Sequence, residues 1–395
     1  MRIPLRRTPT VLHISQPVEG GVARVVADLV SAQATAGLRP VVACPPGGPL
    51  AAQVTAAGVT TVPWAARREP GARLPREAAQ IARIVRRTGP DLVHAHSAKA
   101  GLAARLAVRG RVPTLYQPHA WSFEAADGAT AALAVRWERF AARWAQRIVC
   151  VSEDERRRGE GAGVPGRWTV IRNGVDTGRF RPADEDARRR ARAALPALRD
   201  LPADAPLAVC VGRLCRQKGQ DLLLRAWPRT AAEVPGARLA LVGDGPELAA
   251  LRRAAPADVL LPGPVADTAP WYAAADLVVL PSRWEGMALA PLEAMASGRP
   301  VLLTEVTGAR ESLPVGHASS CLVPPDDPPA LARALTVLLR RPALRARLGH
   351  EAQRHVHAAH DVRNTAAAVT RLYRELLEPA HSWNRFTDRG ELCRG

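Results

Sequence analysis

Short apolar runs alternate with longer amphipathic segments along most of the chain. Thr10–Ile14 and Leu207–Val211 are mostly apolar runs, as expected of strands that are covered on both faces of a sheet. Leu74–Thr88 has apolar side chains at helical spacing, and similar segments separate the other runs. Strands that alternate with helices in this way predict a parallel α/β fold.

A charged and proline-containing stretch from Arg181 to Pro206 interrupts this alternation. We interpret it as a connection with a local helix. A chain of 395 residues is long enough to form one α/β domain on each side of that connection.

The most informative stretch runs from Asp276 to Val301. Leu277–Leu280 predicts a buried strand, and a helix is expected to begin near Pro291. Glu285 lies in the intervening loop, and Glu293 lies in the first turn of that helix. Ligands of open α/β sheets lie at the carboxyl ends of strands, where a carboxylate can accept hydrogen bonds from sugar or ribose hydroxyls. The alternatives are a solvated loop glutamate and a glutamate favoured by the helix dipole.

Two glycine-containing turns have the composition of phosphate-binding loops. Gly212–Gly219 carries Arg213 and Lys218 ahead of a helix, and a planar guanidinium with a compact ammonium suits a diphosphate. Gly20–Gly21 lie in a predicted loop before a helix from Arg24, where glycine lets backbone N–H groups approach an anion. Solvated basic side chains and a tight turn are the alternatives.

Three further features have open interpretations. His94 and His96 would share one face of a strand and could hold a metal, but no third ligand is apparent, and packed or capping histidines are the alternative. Ala131–Gln146 predicts an Arg- and Trp-rich helix that either lies on a membrane surface or packs on the core with a solvated Arg face. Lys99 and Lys218 are the only lysines in an arginine-rich chain, which indicates a need for an ammonium group at both positions.

Composition and charge narrow the class of protein. The net charge of +18 favours anionic partners, but no nucleic-acid recognition motif is present, so phosphorylated substrates or anionic lipid are favoured over nucleic acid. Six scattered cysteines without metal-like spacing indicate reduced thiols. No apolar run reaches the length of a membrane span, and no signal-peptide region follows the basic start Met1–Arg7. A cytoplasmic location is therefore expected, with peripheral contact at the inner membrane face as an option.

Several segments together resemble the retaining glycosyltransferases of family 4, also called glycosyl transferases group 1. The resemblance rests on Glu285-Gly-Met-Ala-Leu-Ala-Pro-Leu-Glu293, on Gly-Arg-Leu at 212–214 followed by Lys-Gly at 218–219, and on Asn173-Gly-Val-Asp176. It implies the GT-B fold, in which two Rossmann-like domains with parallel sheets face a central cleft. The implied parts are an acceptor domain at residues 1–185, a connection at 186–205, a nucleotide-sugar domain at 206–360, a helix at 361–380 that crosses back to the first domain, and a tail at 381–395.

The same resemblance implies roles for individual residues. Arg213 and Lys218 would hold the donor diphosphate, Glu285 and His119 would contact the donor sugar, and Glu293 would bind the ribose. These first four residues form the implied catalytic set. The implied donor-binding set is Gly21, Arg213, Lys218, Glu285, Gly286, Met287, Ala288, Leu289 and Glu293. No metal and no cofactor is expected beyond a UDP- or GDP-linked nucleotide sugar, and the expected acceptor is a glycan or a lipid-linked molecule.

The implied reaction is transfer of a hexosyl unit to an acceptor hydroxyl with retention at the anomeric carbon, in the synthesis of cell-surface glycan, glycolipid or polysaccharide. A nucleotide-sugar epimerase and a non-catalytic scaffold that binds nucleotide or glycan remain alternatives. A glycosidase is disfavoured because it leaves the phosphate loops unexplained. A dehydrogenase is disfavoured because the chain lacks Gly-x-Gly-x-x-Gly with a following acidic residue.

Overall fold

The computed structural model describes residues 8–68, 71–202 and 204–378. The predicted tail at 381–395 and the basic start lie outside these residues. Two parallel sheets with helices on both faces confirm the predicted α/β class.

The first sheet has seven strands in the order β3-β2-β1-β4-β5-β6-β7. Its strands are β1 Thr10–Ser15, β2 Arg39–Cys44, β3 Thr60–Pro63, β4 Leu92–His96, β5 Thr114–Gln117, β6 Arg147–Cys150 and β7 Trp168–Val170. The helices among them are α1 Gly20–Thr35, α2 Pro49–Ala56, α3 Leu74–Thr88, α4 Ala98–Val108, α5 Gly128–Ala141 and α6 Glu153–Gly161.

The second sheet has six strands in the order β10-β9-β8-β11-β12-β13. Its strands are β8 Leu207–Val211, β9 Arg238–Val242, β10 Val259–Gly263, β11 Leu277–Leu280, β12 Val301–Thr304 and β13 Leu322–Val323. The remaining helices are α7 Glu185–Ala194, α8 Gln220–Glu233, α9 Leu248–Ala254, α10 Ala269–Ala274, α11 Leu289–Ala296, α12 Ala309–Ser312, α13 Ala318–Cys321, α14 Pro328–Arg340, α15 Pro342–Ala359 and α16 Val362–Leu377.

The central strands are buried throughout, which explains why they appear in the sequence as continuous apolar runs. Several helices begin where the sequence offers a side chain to accept a free backbone N–H. Ser152 accepts from Glu155 N at 3.0 Å, and Asp184 accepts from Ala187 N at 2.7 Å. In the connecting stretch, α7 is the predicted local helix.

Two predicted helix starts near the site are wrong by a few residues. The first helix begins at Gly20 rather than Arg24, because Gly20 has φ +76° and turns the chain directly into α1. Helix α11 begins at Leu289 rather than near Pro291, since Ala288 is the extended residue that precedes it. Pro291 still falls within the first turn, where backbone N–H groups have no partner in the helix. Glu293 therefore lies just beyond the first turn rather than in it.

The last helix that the structure describes, α16, returns to the first sheet. Val175 N donates to His360 O at 2.8 Å, and Val362 N donates to Val175 O at 3.1 Å. The segment around Val175 therefore pairs in parallel with Asp361, just before α16. Helix α16 packs on α1, and the hydroxyl of its buried Tyr373 lies 2.5 Å from Nδ1 of His94. Across the described residues, no helix is both long and apolar enough to cross a bilayer.

Candidate active site

Two loops of the second sheet meet because their strands are neighbours. Strands β8 and β11 pair in parallel, so the loops that follow them, 212–219 and 281–288, lie at the same edge of the sheet. Arg283 N donates to Gln217 O at 2.8 Å, and Gln217 Nε2 donates to Trp284 O at 3.0 Å. Gly219 has φ +66°, and a Cβ there would lie 2.1 Å from Pro281 O, so only glycine fits between the loops.

The clearest contact between the two loops is an ion pair. Lys218 Nζ lies 2.5 Å from Glu285 Oε1, and Ser282 Oγ donates to the same oxygen at 2.7 Å. The side chains of Lys218 and Glu285 are 21% and 11% exposed, so solvent screens the pair only in part. The structure thus places two of the four implied catalytic residues in direct contact.

Arg213 faces the first sheet's domain across the cleft. Its Nη1 lies 3.5 Å from Oε1 of Glu19, the residue before α1, and both side chains are accessible to solvent. Gly21 lies in the first turn of α1, and a Cβ added to it would lie 3.7 Å from Cγ of Leu289. The amino ends of α1 and α11 therefore approach each other, and both present unpaired backbone N–H groups that favour an anion.

Glu293 is held apart from the Lys218–Glu285 pair. Its Oε2 accepts a hydrogen bond from the hydroxyl of Tyr272 in α10 at 2.8 Å, and burial raises the pKa of Glu293 above its ordinary value. No contact among the described residues joins it to Glu285. The two glutamates of the motif are thus separate polar positions along one side of the cleft.

His119 sits in an unusual backbone segment opposite Gly286. His119 and Ala120 have φ values of +56° and +124°, which L residues adopt rarely. Ala120 N donates to Oε1 of the buried Glu155 at 2.7 Å, which holds this segment in place. A Cβ on Gly286 would lie 2.9 Å from the carbonyl carbon of His119, so glycine is required there for the close approach. Burial lowers the pKa of His119 to about 3, so its ring is neutral at physiological pH.

The segment 286–289 spans the cleft through its backbone. Gly286 O accepts from Ser152 Oγ at 3.1 Å, and Met287 O accepts from Asn173 Nδ2 at 2.8 Å. Ala288 then leads into α11 at Leu289. These contacts explain why Asn173, part of a motif at the end of the first half, matters to a loop of the second.

A third histidine joins the two that the sequence pattern placed together. His13 on β1 pairs in register with His94 on β4, and one ring nitrogen from each of His13, His94 and His96 lies within 4.8 Å of the others. All three side chains are fully buried. This group has the residue types that could hold a metal, and the sequence did not reveal its third member because the pairing of β1 with β4 is not local.

Two other sequence features have plainer explanations. Lys99 Nζ lies 2.6 Å from Oε2 of Glu77, and both are buried, so the lysine forms an interior ion pair. Helix α5 packs through its buried Glu138, which accepts from Arg105 at 2.8 Å, and exposes Leu133 and Phe140. The exposed part of α5 is therefore both basic and apolar.

Several residues that support the site are not predicted from the sequence. Ser282, Tyr272, Glu155 and Ser152 all hydrogen-bond to residues of the predicted set or to the backbone beside them. Only Ser282, three residues before Glu285, lies near enough in the chain to have been suspected. The others come from distant segments, and their roles follow from tertiary contacts.

Two family models match the chain. A model described as Glycosyltransferase Family 4 matches residues 19–179, and one described as Glycosyl transferases group 1 matches residues 205–341. Together they cover every strand of the two sheets except β1, and they confirm the family resemblance that the motifs indicated.

Curated relatives agree with the family models. The chain is 35% identical over 315 residues to a D-inositol 3-phosphate glycosyltransferase of Streptomyces bingchenggensis, a match that covers 73% of this chain and 67% of that protein. It is 38% identical over 233 residues to the protein of the same name from Thermobispora bispora, which covers 55% of this chain and 52% of that protein. The chain thus spans about half the length of several curated relatives that it matches.

Solved structures share the fold. HepE of Anabaena, solved in complex with UDP-glucose, superposes with a TM-score of 0.78 over 93% of this chain and 99% of that chain, at 22% identity. At this identity the likeness shows the architecture alone, and it confirms the GT-B arrangement of two facing α/β domains.

Proposed function

This chain belongs to the family 4 glycosyltransferases of group 1, and we propose that it transfers a hexosyl unit from a nucleotide sugar to an acceptor hydroxyl with retention at the anomeric carbon. The observation that carries the proposal is the Lys218–Glu285 pair, 2.5 Å apart at the adjoining carboxyl ends of β8 and β11. That edge is where parallel α/β sheets bind ligands. The pair places a cation for a diphosphate next to a carboxylate for sugar hydroxyls.

Departure of the nucleotide diphosphate is the step that the basic residues would assist. Charge develops on the diphosphate as the bond to the sugar breaks, and fixed cations that face it lower the barrier. Lys218 and Arg213 come from one loop, and Arg213 is the more exposed of the two and free to turn from Glu19 toward a phosphate. The amino ends of α1 and α11, which approach each other at Gly21 and Leu289, add backbone N–H groups.

The remaining residues of the predicted set would orient the donor. Glu285 accepts from sugar hydroxyls, and the buried carboxyl of Glu293, already oriented by Tyr272, accepts from the ribose. Neutral His119 lies beside Gly286, where it would face the donor sugar. Gly21 lacks a side chain where α1 approaches Leu289, which leaves room for the phosphates.

The acceptor is proposed to be a glycan or a phosphate-bearing, lipid-linked molecule. Two relatives named for D-inositol 3-phosphate and the net charge of +18 support an anionic acceptor. The basic side of α5 exposes Leu133 (67%) and Phe140 (45%), which supports peripheral contact with an anionic membrane. Reduced binding to anionic vesicles in a Leu133→Ala, Phe140→Ala double variant would support this contact, and unchanged binding would contradict it.

Calorimetry with UDP, GDP, ADP and their sugars tests the donor site directly. We expect one diphosphate to bind tightly to the wild type and at least about tenfold more weakly to Lys218→Ala, or ~1.4 kcal/mol. Arg216→Ala is the matched control, because Arg216 lies in the same loop but is 65% exposed. The anomeric configuration of the product, read by NMR with an added acceptor, tests retention.

Three outcomes of these experiments would contradict parts of the proposal. Conversion of a nucleotide sugar without any acceptor would indicate an epimerase. Failure of every nucleotide to bind would favour a non-catalytic scaffold. A product with inverted configuration would leave transfer standing and reject retention.

A further inference from the structure

We propose that Gln33, acting through His13 and His96, fixes the neutral ring of His119 in the tautomer that carries its proton on Nε2. These residues would be positioning residues for the donor sugar, so their effect on catalysis rests on the proposed function. Their effect on the ring of His119 does not.

Four side chains from four segments form one continuous chain of contacts. Gln33 Oε1 on α1 lies 2.8 Å from His13 Nε2, and His13 Nδ1 lies 3.0 Å from His96 Nε2. His96 Nδ1 in turn lies 3.3 Å from His119 Nε2. His13 and His96 each contact the preceding member of the chain through Nε2 and the next member through Nδ1. His119, the last member, uses Nε2 in this way and keeps Nδ1 for a ligand.

The carbonyl oxygen of Gln33 determines which ring nitrogen of each histidine in this chain carries the proton. The carbonyl oxygen of Gln33 only accepts, so His13 must donate from Nε2. A neutral ring has one N–H, so His13 Nδ1 accepts from His96 Nε2, and His96 Nδ1 then accepts from His119 Nε2. His119 is thus left with its lone pair on Nδ1.

The surroundings of the chain keep its rings neutral. Gln33, His13 and His96 are fully buried, and burial lowers the pKa of His13 to about 4 and the pKa of His96 well below its ordinary value. A proton added to any ring would place two N–H donors where the chain needs one donor and one acceptor. The order of donors is therefore stable across the physiological range.

Helix α16 packs against the same group of rings through Tyr373. The Tyr373 hydroxyl lies 2.5 Å from His94 Nδ1, and the rings of His94 and His96 lie 3.9 Å apart between centroids. His96 is thereby held between a packed ring and two hydrogen bonds. Helix α16 thus contributes to the orientation of a residue in the cleft.

The consequence for the reaction is a defined acceptor at His119. A sugar hydroxyl can donate to a lone pair on Nδ1, whereas the opposite tautomer would present an N–H and favour a sugar oxygen without a proton. Fixing the tautomer in the donor-free enzyme means that donor binding does not have to reorient the ring.

A metal ion is the competing explanation for this group. His13, His94 and His96 come within 4.8 Å, and His94 Nε2 has no hydrogen-bond partner among the described residues. Two observations favour the hydrogen-bonded chain. Zn²⁺–N distances of about 2.0–2.1 Å imply ligand nitrogens about 3.3 Å apart, whereas His13 Nδ1 and His96 Nε2 are 3.0 Å apart. Both ring nitrogens of His13 and of His96 are also engaged within the hydrogen-bonded chain, so a metal could bind them only by breaking it.

Nitrogen-15 NMR of the full chain with labelled histidine tests the proposal without turnover. In the donor-free wild type we expect His119 to show a pyrrole-type Nε2 and a pyridine-type Nδ1. Gln33→Met keeps the size of the side chain but removes the acceptor, and we expect a mixture of His119 tautomers. Gln80→Met is the control, since Gln80 makes its contacts at the exposed edge beyond β3 and should leave His119 unchanged.

Kinetics and metal analysis complete the test. If the proposed function holds, Gln33→Met lowers kcat/KM by about tenfold, mainly through kcat, with nucleotide diphosphate binding unchanged. A tautomer change in a protein that transfers no sugar would support the chain and reject the function. Three results would overturn the proposal: a wild-type His119 with Nδ1–H, an unchanged tautomer in folded Gln33→Met, or stoichiometric zinc in untagged protein that His94→Ala abolishes. If Gln33→Met fails to fold, the wild-type spectrum still tests the proposal, because it shows which nitrogen of His119 carries the proton.

Discussion

Lys218 and Glu285 neutralise each other in the donor-free protein, with Nζ 2.5 Å from Oε1. Each would contact a different part of a nucleotide sugar, the lysine its diphosphate and the glutamate its sugar. A bound diphosphate would therefore compete with Glu285 for the same ammonium group. The affinity for the donor includes the cost of loosening this pair.

Replacing Glu285 should separate nucleotide binding from sugar transfer. In Glu285→Gln the ammonium of Lys218 loses its anionic partner, so we expect a nucleoside diphosphate to bind as tightly as before or more tightly. Transfer should fall at least about a hundredfold, the scale of losing one preorganised polar contact. Calorimetry and a transfer assay measure the two effects, and Glu305→Gln on the exposed Arg310 pair is the control. Weaker binding of the diphosphate would contradict the competition.

Lys218→Arg should fail although it keeps the charge. The planar guanidinium is larger than an ammonium and cannot occupy the space between Gly212 and Glu285 in the same way. We expect kcat/KM to fall at least about tenfold, while Arg216→Lys in the same loop has little effect. Full activity of Lys218→Arg would show that charge alone is needed there.

Tyr272 should matter for the nucleoside but not for the phosphates. Tyr272→Phe leaves Glu293 buried without its hydrogen bond, which costs about 1–3 kcal/mol in stability and raises the pKa of Glu293 further. We expect weaker binding of a nucleoside diphosphate and unchanged binding of inorganic pyrophosphate, both measured by calorimetry. Equal losses for the two ligands would argue against a ribose contact at Glu293.

The two glycines at the start of α1 should respond differently to alanine. Gly21 has no left-handed φ and ordinary space around it, so Gly21→Ala should leave the melting temperature unchanged and weaken donor binding. Gly20 has φ +76°, so Gly20→Ala should lower the stability by about 1–2 kcal/mol. Thermal melts and calorimetry on both variants separate the roles, and full donor binding by Gly21→Ala would remove that residue from the site.

Asp28 should make the protein less stable as the pH rises from about 4 to about 7. Burial, and then the charges of Asp176 and Glu293, raise its pKa from 3.8 to about 7, so the folded protein retains a proton that the unfolded chain releases. Asp28→Asn removes this penalty. We expect the variant to gain melting temperature over the wild type at pH 8 and to gain little at pH 4.5. An equal gain at both values would attribute it to something other than ionisation.

The sequence determined the architecture more completely than the site. Strands of a parallel sheet are buried on both faces, so Leu207–Val211 and Leu277–Leu280 were visible as apolar runs. That these two strands are neighbours was not visible, because two other strands lie between them along the chain. The contact of Lys218 with Glu285 depends on the pairing of β8 with β11.

Residues that act through long-range contacts cannot be predicted from local sequence patterns. The sequence places His13 in a predicted strand and Gln33 in a predicted helix, and only the parallel pairing of β1 with β4 brings His13 beside His94. Helix starts were displaced where a glycine or an extended alanine, rather than a capping side chain, set the first residue. The sequence motifs identify the loops that contain the predicted site residues. The residues that hold those loops in position become apparent only from tertiary contacts.

The pairing of Val175 with residues 360–362 joins the outgoing and the returning passage of the chain between the halves. Two passages of the chain between the halves run side by side there, and Thr177 Oγ1 adds a buried hydrogen bond to Asp361 Oδ2 at 3.0 Å. A Cβ on Gly174 would lie 2.7 Å from the backbone of Asp361, so the passages are in close contact. These contacts hold the two passages of the chain together where it crosses between the halves. A side chain at Gly174 would therefore push the two passages apart and disturb the joint between the halves, without replacing any residue of the predicted donor-binding set.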